Sequence, residues 1–221
     1  MKNLHNALLL KQLYQLKQLG YRYTDTAPSQ YKVSELQLPS SIEALEKQAS
    51  DCHLCELSKS RHHVVFGEGN EEAEILFVGE GPGVIEDDTG HPFVGRAGEV
   101  LTNMIEKVLL IPRSEVYISN IVKCHPPNNR APTATEAHTC LPYLLKQIDY
   151  IKPKIVVTLG NTAYHYLTGD ESKITQIRGT LQKRGDYTII PTFHPSYLLR
   201  NPSAKQEAFI DMKLIKSLMK A

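Results

Sequence analysis

AEILFVGEGPG, residues 73–83, runs a short apolar segment straight into a glycine-rich turn, and its reading sets the architecture. A brief run of branched and aromatic side chains bounded by Gly or Pro reads as a strand buried on both faces. Working outward, VYISNIV (116–122), KIVVTLG (154–160) and DYTIIPTF (186–193) have the same character. Helical periodicity appears between and after them, at about 97–110, 135–150, 161–168 and 204–220. Such alternation predicts an α/β fold, a three-layer α/β/α sandwich with a four-stranded parallel central sheet. Polar or Gly/Pro-rich stretches follow three of the strands directly: Gly79-Glu80-Gly81-Pro82-Gly83, Lys123-Cys124-His125-Pro126-Pro127 after Asn120, and His194-Pro195-Ser196. Ligands of open parallel sheets bind at the carboxyl ends of strands, so these loops are expected to converge on one crevice.

The chain has 221 residues, enough for one compact domain with an appendage. With 41% hydrophobic and 22% charged residues, 13 Gly and 13 Pro, it is neither disordered, collagenous nor of low complexity. Its apolar runs fall far short of the ~20 residues of a membrane helix. The leucines near the amino terminus lead directly into Lys11 and Gln12 without a small-residue cleavage site, so a cytoplasmic protein is expected. Leu4, Leu8, Leu9, Tyr14 and Leu16 predict an amphipathic helix ending at Gly20, inside an extension over residues 1–45. Ser40 or Ser41 is the expected cap of the next helix, and the main domain covers 46–221. No heptads or large apolar faces demand association, and a monomer is expected.

Net charge is +1, but it is unevenly spread. Residues 1–110 carry 10 Lys+Arg against 16 Asp+Glu, and residues 111–221 carry 15 against 8. The second half can therefore offer a nucleic-acid face, although a merely solvated basic surface has the same composition.

Four cysteines stand as Cys52-His-Leu-Cys55, Cys124 and Cys140. In a cytosolic chain such a set suits four thiolates on a metal centre better than disulfides. Unrelated buried thiols, a redox Cys-x-x-Cys pair and a structural zinc are the competing readings. Zinc sites generally use two locally paired knuckles. Here fifteen residues separate the second pair, a dispersion that a 4Fe-4S cluster tolerates. With all four ligands supplied by protein, the cluster's role is structural: it staples the loop carrying Lys123 and Arg130, whose cations then suit phosphate contacts.

GEGPGVIEDDTGHPFVGRAGEVL (79–101), NIVKCHPPNNR (120–130) and HPSYLLRNP (194–202), with the four cysteines in matching places, resemble the family four uracil-DNA glycosylases, the thermostable-type, iron-sulfur branch of their superfamily. The resemblance covers roughly residues 50–221 and implies an enzyme that flips uracil out of DNA and hydrolyses its N-glycosidic bond in base-excision repair. Phe93 then resembles the residue stacking on uracil, Asn120 the reader of its Watson-Crick edge, and His194 the donor to O2 as negative charge develops. Glu80 corresponds to the acid of the first motif, positioning water or stabilising a sugar cation. Gly81 stands where the first family of single-uracil enzymes has an aspartate, and lets backbone approach the sugar. Glu86 is expected near uracil C5, where it crowds out the methyl of thymine. Ser196 grips the DNA backbone, Leu198 or Leu199 wedges into the vacated stack, and Arg200 takes a phosphate.

Two rivals remain. A relative that captures abasic DNA through a histidine on a basic insertion is disfavoured, because residues 87–92, Asp-Asp-Thr-Gly-His-Pro, contain no such insertion. The other is a non-catalytic nucleic-acid-binding module stabilised by an iron-sulfur cluster or zinc.

Overall fold

The computed structural model describes residues 38–39 and 41–219. The helix expected over the first twenty residues lies outside them. Six strands form one mixed sheet: β1 (Glu68–Gly69), β2 (Ile75–Gly79), β3 (Tyr117–Asn120), β4 (Ile155–Leu159), β5 (Gln182–Arg184) and β6 (Tyr187–Thr192). Their order is β1-β3-β2-β4-β6-β5. The inner strands β3, β2, β4 and β6 pair in parallel, with Gly79 opposite Asn120 and Leu159 opposite Thr192. The sheet is thus not the purely parallel four-stranded one expected. A two-residue strand joins antiparallel at one edge, and β5 folds back on β6 at the other through Asp186 and Gly185. Both edge strands are short and largely polar, and periodicity carries no signal for them.

Eight helices are described: α1 (Ile42–Ser50), α2 (Val84–Thr89), α3 (Arg96–Met104, continued by a π turn over Ile105–Leu109), α4 (Ala134–Ile151), α5 (Gly160–Thr168), α6 (Ile174–Ile177), α7 (Pro195–Arg200) and α8 (Lys205–Leu218). Ser41 caps α1, its Oγ accepting from the Ala44 N–H at 3.3 Å. Along β2 the side chains alternate between two cores. Leu76 and Val78 pack with Leu45, Leu144 and Tyr164 from α1, α4 and α5, whereas Ile75 and Phe77 pack with Leu101, Ile105, Met212 and Ile215 from α3, its π turn and α8. Burial of both faces explains why the strands read as apolar runs rather than alternating ones. No described helix is long and apolar enough to cross a membrane.

Candidate active site

Because the inner strands run parallel, their carboxyl ends share one edge, and a cleft of about 600 Å³ opens there. It is lined by Glu80, Gly81, Glu86, Phe93, Asn120 and His194, and also by Arg130, Ser196 and Arg200. The loops expected to converge do so.

Gly79 lies at the centre. A Cβ on it would stand 2.3 Å from Asn120 Oδ1 and 2.5 Å from Phe93 Cζ, so only glycine lets the carboxamide and the ring close over the strand end. Asn120 is 1% exposed, and its Oδ1 is buried with no hydrogen-bond partner. An orphaned buried acceptor is costly, and in a cleft it is free to accept from a ligand's N–H.

Phe93 adopts φ +53°, a left-handed conformation that non-glycine residues rarely take. Its carbonyl accepts from Arg113 at 3.1 Å, and Arg113 also donates to the Pro92 carbonyl and pairs with Glu68. Gly98 leaves room for this bend, since a Cβ there would lie 1.8 Å from the Phe93 carbonyl oxygen. The ring centroid is 5.8 Å from that of His194.

His194 caps α7 ahead of Pro195. Its Nδ1 accepts from the Ser196 N–H at 3.1 Å and lies 2.8 Å from the Ser196 hydroxyl. A backbone N–H can only donate, so Nδ1 is the bare nitrogen and the proton sits on Nε2. Burial, with Arg200 as the lesser cause, pushes the imidazole pKa down to about 4. At neutral pH the ring is therefore an uncharged donor through Nε2.

The two glutamates have different surroundings. Glu80 Oε2 accepts from the hydroxyl of Thr162, in the first turn of α5. Glu86 Oε1 accepts from the N–H groups of Val94 (3.0 Å) and Gly95 (2.9 Å), and Oε2 from that of Gly83 (3.2 Å). Glu86 thus clasps the loop after Phe93 to the start of α2. Behind it, buried Asp87 accepts from the N–H groups of His62 and His63, tying α2 to the segment that follows the Cys-x-x-Cys pair.

Two expected DNA contacts are corrected. Lys123 is only 2% exposed, its ammonium donating to Ser119 Oγ, the Asn120 carbonyl and Gln147 Oε1 at 2.5–2.8 Å, so it braces the strand end and reaches no phosphate. Leu198, 1% exposed, is part of the core beside Ile190 and is not free to wedge. Leu199 and Ser196 are partly exposed and Arg200 is exposed. Arg130 keeps an exposed face while pairing with Glu136, whose carboxyl it holds down to about 2.

Sequence reasoning passed over Thr162, Arg113 and the Ser119–Gln147 pair. Thr162 had one available signal, its position two residues after Gly160 at the end of a strand; the others had none.

The four cysteines gather around one small cavity together with Arg61 and Tyr143. None is in a disulfide. Arg61 donates to Cys124 Sγ and the Lys123 N–H to Cys140 Sγ, each at 3.3 Å, the pattern that suits anionic sulfur. Burial pushes the Cys140 thiol up to about 12, against the pull of Lys123, and a bound cation would favour its thiolate. The donor set fits a metal centre.

Residues 66–214, which carry the lining of this cleft and two of the four cysteines, match the family model described as "Uracil DNA glycosylase superfamily". The chain belongs to that superfamily, and within it to the type-4 group. A type-4 uracil-DNA glycosylase of Thermotoga maritima is 46% identical over 183 residues, covering 81% of this chain and 95% of that protein. The type-4 enzymes of Sulfurisphaera tokodaii and Saccharolobus solfataricus are 44% and 38% identical, covering 80% and 81% of this chain and 84% and 87% of their own lengths.

Proposed function

We propose that the chain is a uracil-DNA glycosylase that extrudes uracil from DNA and hydrolyses the bond between N1 and the deoxyribose, leaving an abasic site. The observation that carries this reading is the orphaned Asn120 Oδ1, buried beside the Phe93 ring in the cleft that His194 also lines. Uracil offers an N3–H donor and an O4 acceptor side by side, and one carboxamide serves both. Cytosine offers the opposite pattern and would leave the amide mismatched. Phe93 stacks on the base, and His194 donates from Nε2 to O2 as uracil leaves with the bonding electrons. A donor already neutral and fixed by Ser196 needs no reorganisation in that step. Glu80, aimed by Thr162, positions the water or stabilises the developing sugar cation; the water oxygen bonds to C1′ as hydroxyl and its proton neutralises the released uracil anion. Gly81 lets the loop approach the sugar. Glu86 helps to exclude thymine by fixing the wall it clasps, since its oxygens are already engaged by backbone N–H groups. Arg130, Ser196, Leu199 and Arg200 contact the DNA.

Cys52, Cys55, Cys124 and Cys140 would hold a 4Fe-4S cluster, which supplies a structural tie among the segment after α1, the loop after β3 and α4. Protein purified without oxygen should be brown with broad visible absorption; colourless protein carrying zinc would defeat the assignment.

The activity is tested by incubating single- and double-stranded uracil oligonucleotides with the protein and then applying alkali. Scission confined to uracil supports the reading; retention of DNA without scission points to a binding module.

A further inference from the structure

Beyond the uracil cleft, a second cavity of about 350 Å³ is lined by Pro132, His165, Tyr166, Glu171 and Lys173. It shares Asn161 and Thr162 with the main cleft. The other wall also passes from one to the other without a break: Arg130 lines the first, and the next residues, Ala131 and Pro132, line the second. The far side is pinned, because Asn161 Oδ1 accepts from the Ile174 N–H at 2.6 Å and so ties the 171–174 segment to the start of α5. The flank is a shaped extension of the cleft.

Its chemistry suits a nucleobase. Tyr166 is half-buried and fixed by edge contacts, with ring centroids 4.8 Å from His165 and 5.5 Å from His138. Rings held this way form a stacking platform, which binds single-stranded nucleic acid with little regard to sequence. Lys173 can meet a backbone phosphate. The Glu171 carboxylate would repel a phosphate but accepts from base N–H groups, so the base rather than its phosphate belongs inside.

We propose that this flanking cavity binds an unpaired nucleobase near the extruded uracil on the same strand, by stacking on the Tyr166 ring that His165 holds from the side. The inference rests on the uracil cleft being occupied as described above. A base in a duplex cannot enter without a second unpairing, so the subsite favours single-stranded substrates.

The test measures Kd for single-stranded oligonucleotides carrying one 2′-fluoro-deoxyuridine, which resists glycosidic cleavage. Each of the three nucleotides on either side is replaced in turn by an abasic tetrahydrofuran. In the wild type, one replacement should weaken binding roughly tenfold, and in Tyr166→Ala the same replacement should have less than a twofold effect. Should Tyr166→Ala fail to fold by circular dichroism, His165→Ala gives the same ratio. If no flanking position matters, or if the sensitivity persists in the variants, the proposal is overturned. Uracil release from the unmodified strand is scored separately: its absence would refute the glycosylase activity, while the positional affinity would still decide the subsite.

Discussion

The hydroxyl of Thr162 donates to Glu80 Oε2 across 2.5 Å, joining the glycine-rich loop after β2 to the first turn of α5 after β4. A carboxylate on a loop has several rotamers, and this bond selects one. Thr162→Val keeps the shape and removes the donor. Single-turnover uracil release should fall about tenfold, the equivalent of one lost hydrogen bond of ~1.4 kcal/mol, while Thr162→Ser keeps most of the rate. Equal rates in all three proteins would show that Glu80 does not depend on this partner.

Gly79→Ala tests the packing at the heart of the cleft. The added methyl would lie within 2.5 Å of both Asn120 Oδ1 and Phe93 Cζ, so the reader, the wall or both must move. Displacement by about 1 Å costs on the order of 10² in rate, and the overpacking itself about 1–3 kcal/mol of stability. A variant that melts lower yet still folds, and excises uracil at the wild-type rate, would mean that this contact does not set the site.

The inner strands and the convergence of their loops were legible in sequence, because burial on both faces writes a continuous apolar run and a parallel sheet gathers its carboxyl ends on one edge. Phe93, Asn120 and His194, which line the cleft, were singled out through the motifs around them. The edge strands β1 and β5 were not legible: two and three mostly polar residues have no period to read. Lys123 and Leu198 were misread for one reason. Charge and apolarity in a loop motif suggest contact with DNA, but only the fold reveals that the Lys123 ammonium turns inward to Ser119 and Gln147 and that Leu198 faces the core. Thr162 was missed because its partner lies 82 residues away.

His194 makes stability, but not its own donor role, respond to acid in a defined window. Its pKa is about 4 in the folded chain against 6.5 for the free side chain. Above pH 6.5 the ring is neutral in both states and the group has no pH effect. Between 6.5 and 4 the unfolded chain takes up a proton that the folded one refuses, so stability falls as pH drops, by at most ~1.4 kcal/mol per unit. Denaturant titrations of wild type and His194→Ala should diverge across that window. Over the same range the Nε2 donor persists, so uracil release should show no loss attributable to this ring near pH 6.5. At neutral pH His194→Ala should release uracil ~10²–10³ more slowly.

Lys123 and Arg200 separate bracing from phosphate contact. Removing the Lys123 ammonium in Lys123→Met takes a donor from Ser119 Oγ, the Asn120 carbonyl and Gln147 Oε1, of which Gln147 keeps only the Ser119 hydroxyl. Each unsatisfied buried group costs about 1–3 kcal/mol, so the variant should denature at clearly lower urea concentration. Binding to a uracil-free duplex should nevertheless keep its salt dependence, because no counterion is released by a cation that never meets DNA. Arg200→Ala should behave in the opposite way, with stability near wild type and the slope of log K against log salt shallower by about one. If Lys123→Met flattens that slope and Arg200→Ala does not, the assignments of the two cations must be exchanged, and the strand end carrying Asn120 would need a different brace.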